Sequence, residues 1–290
     1  MKIIYKVAGH CFAVKVDDSS TLASELTQYD PFKVDTSKDN NLVFELEVVK
    51  AEDLGTNEPF TKEIFQDDDG SQIEAGQMGG LPAFKFMLHG HLSARMVTSA
   101  DYTHAKVVLD YDPLFGINNA MMVMYALSTS CKQTALFHSS VISYQGKGYM
   151  FLGKSGTGKS THSRLWLEHI EGTELMNDDN PVVRIIDGTP WVFGSPWSGK
   201  TPCYKNVKAP IGAIVSLSQA PYNKASRLKG LKAYAELIPS ISGKRWDRKL
   251  ADGLHATEEE LVRKAPMFHL ECLPDKAAAI TCKEAVTSAL

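Results

Sequence analysis

The 290-residue sequence lacks the features that mark several broad classes of protein. Its five cysteines are scattered and form no CxxC pair, which argues against a disulfide framework or a zinc site and for reduced thiols. No stretch approaches the roughly eighteen uninterrupted apolar residues of a membrane-spanning helix. Lysines interrupt the apolar runs of MKIIYKVAGHCFAVKV, unlike those of a signal peptide. The formal net charge of −3 provides no basic surface for nucleic acid or an anionic membrane. We therefore expect a soluble, cytoplasmic protein with neither nucleic acid nor membrane as a partner.

The first third of the chain is rich in strand patterns. In LVFELEVV (42–49), apolar residues alternate with glutamates, which is the period of a half-buried strand. Further short β-branched or aromatic runs follow, and turn sequences at 67–70 (DDDG) and 78–82 (MGGLP) separate some of them. Ser20 is placed to cap a helix over 20–29.

The pattern changes after DYDPLFGINN (110–119). The next segment, AMMVMYALSTSCKQTAL (120–136), is apolar on more than one face and is long enough for a buried helix. Strands and helices then mix to the end of the sequence. We therefore predict a β-rich N-terminal domain over 1–112 and a nucleotide-binding domain over 113–290, which gives an α/β fold class of the mixed α+β kind.

The most informative motif is GKSGTGKS (153–160), which fits the G-x-x-x-x-G-K-[ST] phosphate-loop pattern. The apolar strand GYMFL leads into it and the helix-forming stretch THSRLWLEHI follows it, which is the context that the motif requires. Its glycines let the backbone bend around an anion, so that successive N–H groups point inward. Lys159 is expected to reach the β- and γ-phosphates, and Ser160 is expected to offer its hydroxyl to Mg²⁺. The residues predicted to bind the nucleotide are Gly153, Lys154, Ser155, Gly156, Thr157, Gly158, Lys159, Ser160 and Thr161.

Two further features lie close to this loop in the sequence. LMNDDNPVVRI places Asp178 and Asp179 after a strand-like run, where one carboxylate can bind a metal and the other can accept the proton of an attacking hydroxyl. The same Asp-Asp-Asn-Pro string is typical of a simple turn, but the phosphate loop just upstream favours a catalytic pair. His138 stands at the head of a strand expected to pair with the strand before the loop. Although a lone histidine is more often structural, this position can bring it to the same end of the sheet as the phosphates.

Together, FHSSVISYQGKGYMFLGKSGTGKSTHS and NDDN resemble the shared core of HPr kinase/phosphorylase and phosphoenolpyruvate carboxykinase. In both families a histidine lies on the strand hairpin before the loop, and an Asp-Asp pair follows a short helix. The resemblance spans 136–186 and implies a carboxykinase-like P-loop nucleotide domain with a mixed sheet. It leaves open which aspartate is the base and which binds metal. The candidate catalytic residues are Asp178, Asp179, His138 and Lys159, and the candidate metal ligands are Ser160 and Asp178.

The resemblance predicts a kinase, an HPr kinase-like phosphotransferase that uses ATP and Mg²⁺ to phosphorylate a hydroxyl of a protein, a peptide or a metabolite. No counterpart of the carboxykinase oxaloacetate-binding arginine segment is found, and the first third does not match the regulatory domain of HPr kinases. Neither oxaloacetate nor HPr is therefore the expected substrate. The alternatives are a nucleotide-gated binding or sensor module without transfer and, less favoured, carboxykinase-type chemistry. A homo-oligomer is suggested by analogy alone.

Two weaker features remain open. GSPWSGK (194–200) fits either a loop that closes over a substrate, with Lys200 neutralising charge, or an ordinary turn with a buried Trp197. The cations of GKRWDRK (243–249) fit an anionic ligand, but a solvated charged face is the favoured interpretation.

Overall fold

A computed structural model of the chain describes residues 1–35, 41–68, 70–199 and 201–288. The chain divides into two compact units, Met1–Thr129 and Ser130–Leu290. Each unit contains a sheet with both parallel and antiparallel pairings. The fold class is therefore mixed α and β.

The first unit is built on one sheet, which has nine strands in its described residues. Their bounds are β1 Lys2–Val7, β2 His10–Lys15, β3 Lys33–Val34, β4 Leu42–Val48, β5 Thr61–Asp68, β6 Ser71–Met78, β7 Leu81–Leu88, β8 His91–Thr98 and β9 His104–Leu109. The spatial order is β3-β1-β2-β4-β9-β8-β7-β6-β5. Strand β4 runs parallel to both of its neighbours, β2 and β9. Strands β5 to β9 pair antiparallel, each with the next.

The alternation read in the sequence of β4 agrees with its burial. Phe44 and Leu46 are buried and Glu47 is exposed, because successive side chains of a strand point to opposite faces. The Phe44 ring stacks on Phe12 with ring centroids 4.8 Å apart. The predicted turns also fall between paired strands, since Asp68 pairs with Ser71 and Met78 with Leu81. Asp69, within the first of these turns, lies outside the described residues.

The described residues of the first unit contain two α-helices, and both differ from their predicted bounds. They are α1 Leu22–Glu25 and α2 Pro113–Thr129. The prediction of one helix over 20–29 is wrong, because Leu26, with ψ of 50°, leaves the helical region and a 3₁₀ turn follows at Thr27–Phe32. Ser20 does accept a hydrogen bond from the Leu22 N–H at 3.2 Å.

Helix α2 lies within the first unit and packs on strands β4, β7, β8 and β9. It begins at Pro113, whose missing N–H fits the first position of a helix, and it ends before the predicted 136. Gly116 lets it approach the sheet closely, since a Cβ there would lie 2.6 Å from the Ser93 carbonyl oxygen. The unit boundary therefore follows α2, whereas the predicted boundary at 112 precedes it.

The second unit carries the phosphate-loop sequence. Its strands are β10 Thr134–Phe137, β11 Ser139–Tyr144, β12 Lys147–Leu152, β13 Thr173–Asp179, β14 Val182–Ile186, β15 Thr189–Phe193, β16 Lys208–Gln219, β17 Lys224–Leu228, β18 Ile241–Ser242 and β19 Met267–Cys272. Its helices are α3 Lys159–His169, α4 Gly230–Leu237, α5 Arg248–Lys264 and α6 Lys276–Thr287. Helix α6 is capped at its start, since the Asp275 carboxylate accepts a hydrogen bond from the Ala278 N–H at 2.9 Å.

The strand order in this unit is β13-β11-β12-β16-β15-β14-β10-β18, and β19 joins β16 to β17. Strands β12, β16 and β19 are parallel neighbours, and the other pairings are antiparallel. Each face of the sheet has its own core. Leu237 of α4 and Leu254 of α5 belong to one core, and Trp166 of α3 and Cys282 of α6 belong to the other.

Across the part of the chain that the structure describes, no helix has both the length and the apolar character needed to cross a membrane.

Candidate functional site

Three strand ends meet at one edge of the second unit's sheet. Strand β12 ends at Leu152 and leads into the phosphate loop, while β11 pairs antiparallel with it. Strand β13 ends at Asp179, directly opposite Ser139 at the start of β11. The loop, the aspartate pair and the residue before β11, which is His138, therefore share this edge.

The loop has the backbone bends that an anion cradle requires. Gly153, Gly156 and Gly158 have φ of 149°, 80° and 103°, a region that residues with a Cβ rarely adopt. At Gly153 a Cβ would also lie only 2.4 Å from the Thr157 Oγ1 atom. Thr157 fixes the bend, because its Oγ1 donates to the Lys154 carbonyl oxygen at 2.8 Å and its N–H donates to the same oxygen at 3.2 Å.

Helix α3 begins at Lys159 directly after the loop. The N–H groups of Lys159, Ser160 and Thr161 therefore lack acceptors within the helix, and they lie at its positive end. Ser160 is exposed, as are Lys154 and Ser155, so the start of the helix is open to solvent. These donors and the bent loop together suit a phosphate chain.

The Lys159 side chain is folded into the loop. Its residue is only 9% exposed, and the ammonium donates to the carbonyl oxygens of Gly153 at 2.9 Å and Lys154 at 3.3 Å. It also contacts the His138 Nε2 atom at 2.9 Å. An ammonium can only donate, so Nε2 accepts, which leaves the proton of a neutral His138 on Nδ1.

His138 links Lys159 to the aspartate pair. Its Nδ1 atom lies 3.2 Å from Oδ1 of Asp179, so the Nδ1–H donates to that carboxylate. The other oxygen of Asp179 accepts from the Asn180 side-chain amide at 2.6 Å. The Asp179 side chain remains 32% exposed. A continuous series of contacts thus runs from the phosphate loop through His138 to a solvent-accessible carboxylate.

Asp178 and Asp179 have different surroundings. Asp178 is 4% exposed and pairs across the strands with Ser140, whose Oγ lies 2.5 Å from the Oγ of Ser163 on α3. Directly opposed residues share a face of the sheet, so Asp178 faces the helix that follows the loop. Asp179, the next residue, faces the other way and contacts His138.

The backbone of Asp179 is unusual. Its φ of 150° falls in the region that favours glycine, a conformation that costs about 1–3 kcal/mol. Residues 198 and 199 hold the Asp179 backbone in this conformation. The Gly199 N–H donates to the Asp178 carbonyl oxygen at 2.7 Å, and Ser198 forms an isolated antiparallel β-bridge with Asp179. A Cβ on Gly199 would lie 3.1 Å from the Cβ of Asp179, so this glycine permits the close approach.

The GSPWSG loop (194–199) is itself anchored from β13. The Asn177 side-chain amide donates to the Ser195 Oγ and to the Trp197 carbonyl oxygen, each at 3.2 Å. Trp197 is 1% exposed, as the turn interpretation of this segment predicted. The segment nevertheless lies against Asp179, as the substrate-loop interpretation requires. Lys200 lies outside the described residues.

The cations of 243–249 divide between two settings. Arg245 donates to the buried Glu258 at 2.6 Å, and Arg248 is 96% exposed, 4.0 Å from Asp252. Arg248 fits the favoured interpretation of a solvated charged face, whereas Arg245 and Lys244, which is only 9% exposed, depart from it.

The described residues contain no group of three or more histidine, cysteine or acidic side chains placed to hold a metal ion. Ser160 and Asp178, the two predicted metal ligands, carry oxygen donors and lie on the α3 side of the sheet. This donor set fits Mg²⁺, which keeps several waters and takes other oxygens from a bound phosphate chain, and does not fit a dedicated all-protein metal cage.

Behind the loop, α3 is packed through His162 and Trp166. The Trp166 indole donates to His162 Nε2 at 3.1 Å, and burial lowers the pKa of His162 to about 4. His162 is therefore neutral at pH 7 and acts as a core residue that seats the helix.

No family model and no curated protein matches the chain. Among solved structures, it is similar to the Hpr(Ser) kinase/phosphatase from Coxiella burnetii, with 9% identity and a TM-score of 0.33 over 53% of this chain and 97% of that chain. The structural relation is weak.

Sequence reasoning named His138, Lys159, Asp178 and Asp179, and the structure brings them to one edge of the sheet; their chemical roles stay predictions. It missed Asn180 and Gly199, which orient and contact Asp179. Asn180 had a signal, its position next to the pair. Gly199 lies in the GSPWSGK segment that was a candidate substrate loop, but no pattern singled out this glycine, because its neighbour across space is 20 residues away in the chain.

Proposed function

We propose that the chain is an ATP- and Mg²⁺-dependent phosphotransferase, with a carboxykinase-like P-loop domain, that acts on a hydroxyl group in the manner of HPr kinases. The observation that carries this proposal is the contact series from Lys159 through His138 to Asp179. A phosphate loop alone serves binding and sensing equally well. A histidine in contact with the loop lysine, and a carboxylate in contact with that histidine, are the additional groups that transfer to a hydroxyl uses.

ATP with Mg²⁺ would supply the phosphoryl group. The loop backbone and the N–H groups of Lys159 to Thr161 would hold its phosphates, and Ser160 and Asp178 would bind the metal. The Lys159 ammonium, now held by two loop carbonyl oxygens, is placed to turn toward negatively charged phosphate oxygens. Such a cation stabilises charge that develops on the transferring group.

Asp179 is the proposed general base, and Asp178 the metal ligand. Asp179 is partly exposed, so an acceptor hydroxyl can reach it, and its carboxylate can take the hydroxyl proton. Asp178 is buried and faces α3, the helix that carries Ser160. This division follows from the opposite directions of two successive strand residues.

His138 orients the base. Its Nδ1–H donates to one Asp179 oxygen while the Asn180 amide donates to the other. Two donors fix the plane of the carboxylate, which leaves its remaining lone pairs for the acceptor hydroxyl. His138 Nε2 accepts from Lys159, so a single histidine positions both the base and the cation.

The proposal is tested by incubating the full chain with γ-³²P-labelled ATP and Mg²⁺, with and without cell extract. Transfer of label to a protein, a peptide or a small molecule is expected, and it should vanish in a Lys159→Met variant. An Asp187→Asn variant, changed at an exposed turn, serves as the control that keeps activity. ATP binding without any transfer would overturn the proposal in favour of a sensor, and carbon dioxide release from oxaloacetate would indicate carboxykinase chemistry instead.

A further inference from the structure

A second polar cluster lies on the other side of the phosphate loop from His138. It consists of Ser216 and Ser218 on β16, His269 on β19 and Glu236 on α4. The three strand residues lie on the face of the sheet that α4 and α5 cover, and Glu236 belongs to α4 itself. Ser216 follows Ile214 by two residues and His269 follows Met267 by two, so each pair shares a face. Ile214 and Met267 belong to the core beneath α4 and α5. Polar side chains on the same face of a strand as buried hydrophobic residues are uncommon unless they hydrogen-bond or bind a ligand.

The four side chains hydrogen-bond with one another. The Ser218 Oγ atom lies 2.9 Å from His269 Nε2, and the Ser216 Oγ lies 3.3 Å from His269 Nδ1. Ser216 also donates to Oε2 of Glu236 at 2.5 Å. Within the described residues, Oε1 of Glu236 makes no hydrogen bond, and its distance to His269 Nδ1 is 4.0 Å. The cluster thus presents an unused carboxylate oxygen.

The cluster is open to solvent on one side. Ser216 is 3% exposed, but the Glu236 side chain is 43% exposed and that of His269 is 27% exposed. A serine, a histidine and a glutamate also form hydrolase triads, in which the carboxylate bonds directly to Nδ1 of the histidine. Here Ser216 stands between Glu236 and His269, so the arrangement suits recognition of a polar ligand better than activation of Ser218.

The phosphate loop is directly beside this cluster. Ser216 pairs with Leu152, the last residue of β12, and β12, β16 and β19 run parallel, so their carboxyl ends share the edge that carries the loop. The Gln219 side-chain amide reaches the Gly156 carbonyl oxygen at 3.3 Å. Ligands of sheets with parallel strands bind at this edge.

The direction of the bound phosphate chain follows from these positions. On the proposed function, the terminal phosphate points toward Lys159, His138 and Asp179, which lie on the β11 and β13 side of the loop. The other end of the nucleotide must then leave on the β16 and β19 side, where the cluster lies. The first group beyond the phosphates is the ribose, whose two hydroxyls both donate and accept hydrogen bonds.

We infer that Glu236, with Ser218 and His269, forms the ribose subsite of the nucleotide, with the free Oε1 oxygen of Glu236 accepting from a ribose hydroxyl. Carboxylates serve this role in dinucleotide-binding folds of other kinds. The inference rests on the proposed function, because it takes the orientation of the phosphate chain from it. It also predicts that the chain distinguishes ribonucleotides from deoxyribonucleotides and from inorganic polyphosphate.

The test compares four ligands on the full chain by isothermal titration calorimetry: ATP, 2′-deoxy-ATP, 3′-deoxy-ATP and inorganic tripolyphosphate, each with Mg²⁺. Because hydrogen bonds to charged groups are among the stronger ones, Glu236→Ala should weaken ATP binding about tenfold or more. Tripolyphosphate affinity should change less than about twofold, since it has no ribose to lose. Glu259→Ala on α5, also an exposed glutamate, should change neither.

The outcomes separate the subsite from the proposed function. Preference of the wild type for ATP over one of the deoxy-ATPs, lost in Glu236→Ala, supports the subsite even if no phosphoryl transfer is ever observed. Equal weakening of ATP and tripolyphosphate by Glu236→Ala would overturn it, because the residue would then support the loop and not the ribose. Unchanged ATP affinity would overturn it too. Failure of the wild type to bind ATP or tripolyphosphate would overturn both proposals.

Discussion

An Asp179→Asn substitution removes a proton acceptor from the candidate site while keeping the shape of the side chain. Asparagine tolerates uncommon backbone conformations about as well as aspartate, so the φ of 150° at this position remains accessible. The carboxylate is one-third exposed, and the contacts that it makes are hydrogen bonds to His138 and Asn180. Loss of one such bond changes stability by about 1 kcal/mol, so the variant should fold.

The effect on transfer should be far larger than the effect on folding. A positioned general base contributes about 10²–10⁴-fold, which corresponds to about 3–5 kcal/mol in the activation free energy. Nucleotide binding should change less, because the loop backbone and Lys159 do not depend on Asp179 for their hydrogen bonds to one another. We expect turnover to fall about 10²–10⁴-fold and ATP affinity to stay within about threefold.

The assay is ADP release from ATP and Mg²⁺, with water as the acceptor, measured beside ATP affinity on the same preparations. Asp187→Asn is the matched control, because Asp187 is exposed in a turn with φ of 48°, where asparagine is equally suited. An Asp179→Asn rate equal to that of the control would refute the assignment of Asp179 as the base. Loss of ATP binding in step with turnover would show that Asp179 holds the nucleotide instead.

Three other predictions concern Gly199, His162 and Glu258. Gly199→Ala places a Cβ 3.1 Å from the Cβ of Asp179, so the Asp179 side chain must move by a few tenths of an ångström. This shift should slow ADP release about tenfold with little change in the thermal midpoint of unfolding. An unchanged rate would show that Asp179 does not need this geometry. His162 has a pKa of about 4 when folded and 6.5 as its ordinary value, so the unfolded chain binds more protons between these values. Urea titrations should therefore show the free energy of unfolding falling by about 3 kcal/mol as the pH drops from 7 to 4, with a smaller fall in His162→Gln. Glu258→Ala should destabilise the chain by about 3–5 kcal/mol in urea unfolding, because Glu258 is fully buried and the substitution leaves Arg245 without its carboxylate; a loss below about 1 kcal/mol would contradict this.

Local sequence patterns predicted much of the second unit. The glycines and Lys159 of the loop and the helix after it depend on neighbours within a few residues, so their structure can be read from short windows. The helix at 20–29 shows the limit of this approach. Its pattern fits a helix, yet Leu26 turns out of the helical region and divides the segment into a short α-helix and a 3₁₀ turn.

Helix α2 shows another limit. Its apolar sequence predicted a buried helix but not its partner, and residues 134–137 continue the apolar run as a strand of the second unit. Hydrophobicity indicates burial without indicating which surface does the burying. The position of the boundary between the two units therefore depended on the packing of α2 against the first unit's sheet.

The amino-acid sequence by itself determined the bent loop at 153–158 and the helix after it, because a glycine-rich backbone before a helix is fixed by residue types in a single short segment. It also supplied a histidine and two aspartates without joining them. Tertiary structure alone decided that His138 contacts both Lys159 and Asp179. It also decided that Gly199 packs closely against Asp179 and that Ser216 hydrogen-bonds to Glu236 beside the loop. Each of these contacts joins residues far apart in the chain, and strand pairing and helix packing set such distances.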